Sequence, residues 1–248
     1  MSEDLASIGL QYDRWQDAVE AAIASGQLSV TGEVRGGQLI QFTDPSGACI
    51  NILAVEPFAT WAGFESTTDA LGHVTMLTDV LAFCDVVTGD GEQVASVTAN
   101  LAQGPLLVDE NAQQWQQLAI TALAVDTMVY PSADDFTTQK GGEIGMLVSH
   151  GAAVVLAGDG SRAPDAGATL TAEVRSAEYR TTALSGQRFI HCDIEAPFPM
   201  DLCLPDSPEL PAPGSVVAGT VMLTAAVKMP AGCGSGSGGC GCGSGGCS

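Results

Sequence analysis

The chain has 248 residues, 46% of them hydrophobic and only 15% charged, which is enough apolar material for a core and excludes a disordered chain. Its 29 acidic against 8 basic side chains leave a net charge of −21, a field that repels phosphate backbones and anionic bilayers and argues against nonspecific nucleic-acid binding and membrane docking. No uninterrupted run of about 18 apolar residues is present to form a membrane-spanning helix.

The opening, MSEDLASIGLQYDRWQDAVEAAIASG, is acidic and lacks the basic start and continuous apolar core of a secretory signal, so a cytoplasmic location is expected. In that reducing compartment Cys49, Cys84, Cys192 and Cys203 read as free thiols of the core. Trp15, Ala18, Val19, Ala22 and Ile23 follow the stripe of an amphipathic helix over 13–25. Asp13 and Gln16 stand at capping-box spacing, and Gly26 is the stop.

Strand patterns follow. SVTGEVRGGQLIQF leads through the turn TDPSG into ACINILAVEPF. The same order returns in TLTAEVRSAEYRTTALSGQRFIHCDIEAPF, with equal spans from Glu33 to Phe58 and from Glu173 to Phe198. GHVTMLTDV at 72–80 is matched by GTVMLTAAV at 219–227. These landmarks predict two copies of one strand module, over 27–88 and 168–229.

Between them, Ala95 to Val108 reads as a strand. The stripe Trp115, Leu118, Ala119, Ala122 and Leu123 predicts a second helix over 111–125 with Trp115 as a core anchor. VDTMVYPSADDF reads as a connection or short helix, EIGMLVSHGAAVVLAG as a strand, and DGSRAPDAG as a loop that marks a boundary. The Pro-rich LPDSPELPAPGS reads as a surface connection. The expected fold is mainly β with short helices, built as two related small barrel-like or sandwich-like modules. Its parts are 1–94, 95–167, 168–231 and a tail at 232–248.

Chemistry is sparse in the body. There is no G-x-S-x-G elbow, phosphate loop, H-E-x-x-H or paired CxxC. His191 and Cys192 are adjacent, and on a strand neighbours point to opposite faces. CDIEAPFPMDLC could bend at Pro197 and Pro199 and set Cys192 and Cys203 on facing strands, with His73 or His150 completing a metal site; buried core thiols are the simpler expectation. Glu33 and Glu173 are placed to pair with Arg35 and Arg175, and Asp159, Ser161 and Asp165 read as a turn rather than a calcium loop.

The tail differs from everything before it. GCGSGSGGCGCGSGGCS carries Cys233, Cys240, Cys242 and Cys247 as C-x6-C-x-C-x4-C, four thiolates that suffice for one tetrahedral zinc or a copper-rich cluster. Glycine between them permits unusual turns and makes the tail flexible when free. The Gly, Ser and Cys mixture resembles the modified region of thiazole- and oxazole-forming peptide precursors, which implies cyclisation of Cys and Ser onto the backbone; only these 17 residues share the likeness. The expected function is an interaction or scaffold protein, with a protein partner and a tail that binds soft metal. The alternative is an enzyme with a polar site in a cleft between the repeated modules.

Overall fold

The structure, a computed structural model, describes residues 3–160 and 162–228, so the four tail cysteines lie outside the described residues. Two short helices open the fold, α1 (Glu3–Ala6) and α2 (Trp15–Ala24). The predicted stripe holds for Ala18 and Ala22, which are buried, but Ile23 faces outward at 56% exposure. The helix starts after Arg14, which makes no side-chain cap, rather than at an Asp13 box.

Four strands then form a small antiparallel sheet in chain order: β1 (Leu28–Val34), β2 (Gly37–Thr43), β3 (Ala48–Leu53) and β4 (Ala59–Phe64). The β1–β2 hairpin closes on Arg35 and Gly36, both at positive φ (48° and 80°), which is the two-residue turn whose twist matches the strands. At the next turn the Asp44 carboxylate accepts from Ser46 N at 2.9 Å, an Asx turn.

The other nine strands make one mixed sheet. β5 (Ala70–Met76), β6 (Leu81–Val87) and β7 (Gln93–Leu101) are an antiparallel meander, followed by α3 (Gly104–Leu107) and the long β8 (Gln113–Tyr130). After α4 (Ala133–Gln139), the edge strand β9 (Met146–Ser149) and α5 (His150–Ala157) comes a second meander. It consists of β10 (Gly167–Thr181), β11 (Arg188–Glu195) and β12 (Pro199–Pro205), and it is followed by the long β13 (Val216–Val227).

β8 and β13 pair antiparallel along most of their length. Each takes a different outer neighbour in its two halves: β8 pairs with β5 and then, parallel, with β12, while β13 pairs with β10 and then, parallel, with β7. The pairings close two five-strand circuits that share β8 and β13. Strands β5, β6, β7 and β8 thus stand in the same relations to one another as β10, β11, β12 and β13.

This is not the repeat expected over 27–88 and 168–229. The first span holds the whole small sheet plus β5 and β6, and the second holds β10 to β13. The shared EVR landmark reflects two unrelated settings, since Arg35 sits in a tight turn whereas Glu173, Val174 and Arg175 lie inside a long strand. Nor do the Glu–Arg pairs form within each landmark. Arg35 bonds Asp79 at 2.7 Å, and Arg175 is ion-paired with Glu195.

The predicted helix over 111–125 is strand β8. Its stretch from Leu118 to Ala124 is buried on both faces, so the alternation that marks a half-buried strand is lost and an apolar run imitates a helical stripe. Leu118, Ile120, Ala122 and Ala124 point into the main core, and Leu123 points into a second cluster beneath α1, α2 and the small sheet. Likewise only Met146 to Ser149 of the predicted strand EIGMLVSHGAAVVLAG is extended. Ser149 then caps α5 through Oγ to Ala152 N. Among the described residues no helix is long and apolar enough to cross a membrane.

Candidate metal centre

Alternation along β11 and β12 builds the site. Ile190, Cys192 and Ile194 fill the main core, as do Met200, Leu202 and Leu204, so His191, Asp193, Asp201 and Cys203 project from the opposite face. Antiparallel register sets Asp193 opposite Asp201 and His191 opposite Cys203. On the other side β10 brings Ser176 to Asp193 and Glu178 to His191.

His191 Nε2 lies 2.9 Å from Asp201 Oδ1, and Glu178 Oε1 lies 3.7 Å from His191 Nδ1. The Ser176 hydroxyl donates to Asp193. His191, Asp193 and Asp201 form a cluster able to coordinate a metal ion, each offering one ligand atom, all within 4.8 Å of one another.

The small sheet roofs this face. The Phe64 ring at the end of β4 stacks on His191 with centroids 5.4 Å apart, and the Arg180 guanidinium stands 5.5 Å from the Phe64 ring. The chain leaving β4 then donates Thr67 N (3.2 Å) and Thr68 Oγ1 (3.3 Å) to Asp201 Oδ2. His191 and Asp201 are buried as a result, while Asp193 is half-exposed at the mouth. Burial by itself would raise the Asp201 pKa, but hydrogen bonds from His191, Ser66 and Thr68 outweigh it and hold the carboxyl below its ordinary value.

Two features mark the cluster as more than a satisfied polar patch. Two carboxylates directly opposite on neighbouring strands repel, and a cation between them removes that cost. Thr121, the register partner of Asp201 on β8, is buried with a hydroxyl that has no hydrogen-bond partner. The matching positions of the other circuit carry a different solution. Cys84 again points inward and Asp85 outward, but Phe83 stands in place of His191 and Ser96 in place of Asp201. There the lone Asp85 accepts from Ser96 Oγ at 2.6 Å and Gln93 Nε2 at 3.2 Å.

The sequence had drawn attention to this hairpin for its thiols, and the register separates them: Cys192 pairs with Leu202 and faces the main core, while Cys203 faces the second cluster. His73 and His150 do not join either thiol, as His73 Nδ1 accepts from Trp115 N and His150 Nε2 is 2.9 Å from Thr169 Oγ1. Cys49, Cys84, Cys192 and Cys203 are free and buried. Burial pushes the thiols of Cys49, Cys84 and Cys192 up to about 12 and that of Cys203 well above its ordinary value.

Of the turn Asp159–Ser161–Asp165, Ser161 lies outside the described residues and Asp165 Oδ1 accepts from Gly167 N at 2.8 Å. The signal that would have found the centre was H-x-D on one strand face and Asp201 across a Pro-containing turn. Hairpin arithmetic pairs 193 with 201 as it pairs 191 with 203. The chain matches none of the protein-family models, curated proteins or solved structures with which it was compared.

Proposed function

We propose that this protein binds a divalent cation through His191, Asp193 and Asp201, and that the cation fastens the small sheet to the outer face of the large one. The observation that carries this reading is the facing pair Asp193 and Asp201 beside a buried imidazole. One nitrogen and two carboxylate oxygens suit zinc and other first-row divalent ions better than copper(I), which favours thiolates. Roofing by Phe64 and by the chain after β4 makes the ion part of the seam between the sheets.

An enzymatic use of the same ion is the second reading. A cavity of about 390 Å³ begins at Phe64, Ser66 and Thr67 and continues past Cys49, Gly63 and Lys228, so a ligand there would approach the roof of the centre. A scaffold role with zinc or copper on Cys233, Cys240, Cys242 and Cys247 is a separate proposal that rests on sequence alone. The recurrence of β5–β8 in β10–β13 supports a duplicated barrel-like unit in which only the second copy acquired the histidine and second carboxylate.

Equilibrium titration of the reduced full chain with zinc and manganese separates these readings. With all four tail cysteines replaced by serine, one divalent ion should still bind, and His191→Ala should weaken it by about 100-fold or more. Unchanged affinity in His191→Ala, or no uptake by the serine variant, would overturn the body site. Loss of binding only with the tail substitutions would move the metal to the thiols.

A further inference from the structure

Trp115 was expected in the core, yet its side chain is 53% exposed. Its backbone is also unusual. Apart from Arg35 in the hairpin turn, it is the one non-glycine described residue at positive φ (55°), a conformation that a bulky side chain rarely adopts. It sits where the β5–β8 register shifts between Gly72 and Val74, and such irregularities re-aim side chains beside functional sites.

The indole is held in place rather than hanging free. Trp115 N donates to His73 Nδ1 at 3.1 Å, and the His73 ring meets the indole edge-on with centroids 5.0 Å apart. A methyl group on Gly91 would stand 3.3 Å from the indole Cη2, so the ring reaches the β6–β7 turn. That turn reads TGDGEQ, and Asp90 and Glu92 flank Gly91 in solvent. Asp109 and Glu110 are exposed on the chain leading into β8. No lysine or arginine occurs between Arg35 and Lys140, so every strand from β2 to β8 is free of both.

We propose that Trp115, fixed by His73 beside the acidic Asp90–Gly91–Glu92 turn, is a docking platform for an arginine-bearing basic segment of another protein. A planar guanidinium stacks on an indole face and is attracted by its electron density, and carboxylates at the rim pair with the remaining positive charge. Pinning the ring in advance removes the rotamer cost of binding. The overall charge of −21 steers a cationic segment towards the protein.

The test is titration of the full chain at physiological salt with a tetra-arginine peptide, against a tetra-citrulline peptide that keeps the shape and loses the charge. The arginine peptide should bind and the citrulline peptide should not. Trp115→Leu should weaken binding by about fivefold to thirtyfold, the worth of a cation on an indole. Asp90→Asn with Glu92→Gln, on an exposed turn away from any core, should weaken it further and flatten its salt dependence.

Equal binding to the wild type and Trp115→Leu, with matching near-ultraviolet spectra outside the tryptophan band, would reduce the contact to bulk charge and overturn the proposal. So would equal binding of the citrulline peptide, or a preference for a neutral oligosaccharide such as cellotetraose.

Discussion

Buried titratable groups in this protein are moved in opposite directions by their surroundings. Asp201 is the more deeply enclosed of the facing carboxylates, yet donors on β11 and on the chain leaving β4 hold its carboxyl below the ordinary value. For the body thiols burial outweighs such help, as it does for Cys49 beside Thr43. Cys49 offers its proton to Gly47 O at 3.4 Å, and burial leaves it, like Cys84 and Cys192, with a pKa near 12. At pH 8 their thiolate fraction is then about 10⁻⁴, which with enclosure makes them poor nucleophiles. Peptide mapping after iodoacetamide treatment should accordingly find Cys49, Cys84, Cys192 and Cys203 unmodified in native protein and modified once urea unfolds it. Rapid native labelling of Cys192 would contradict its place in the main core.

Among the elements, α5 depends on one hydroxyl. Ser149 Oγ accepts from Ala152 N at 3.3 Å as the helix cap and from Thr98 N at 3.0 Å on β7, and Thr98 Oγ1 donates in turn to Asp165 O at 2.6 Å. Ser149→Ala leaves two enclosed amides without their acceptor. Urea unfolding should show a loss of about 1–3 kcal/mol, and Ser149→Thr should restore part of it. A change smaller than about 0.5 kcal/mol would mean that water reaches these groups.

The helix had been concealed in the sequence because HGAAVVLA is apolar all round, with no stripe to count. Strand β8 was concealed for the same reason, both of its faces being covered between Leu118 and Ala124. Where one face is solvated, as along the outer side of α2, polar and apolar positions separate and the element was legible.

Across the molecule, the small sheet and the large one are joined through Phe64. Its ring packs edge-on against Phe189 at 6.2 Å, stacks on His191 and belongs to the cluster that includes Leu10, Ile50 and Leu123. Thr224 Oγ1 adds bonds of 3.2 Å to Ala62 O and Asn100 O, one in each sheet. Phe64→Ala should cost about 3–5 kcal/mol in urea unfolding and also weaken divalent-ion binding, because it opens the roof over His191. Phe64→Leu should recover most of the stability but less of the affinity. Metal affinity unchanged in Phe64→Ala would show that the roof and the centre act independently.

The sequence by itself determined the class of the protein: an acidic chain with a real core, mostly strands, and a short amphipathic helix near the start. Composition and local periodicity suffice for that, since each depends on neighbours in the chain. It also carried the pieces of the centre, His191 and Asp193 two residues apart on one strand face and Asp201 beyond a turn. Only the tertiary structure decided that Phe64 and Thr67, more than a hundred residues earlier, close over His191 and Asp201.

The strand pairing of the large sheet was decided in the same way. An EVR string looks alike in a turn and in a strand, whereas the pairing of β8 with β13 exists only when distant segments meet. Long-range register arises from burial against the whole core, a condition that no short stretch of sequence contains.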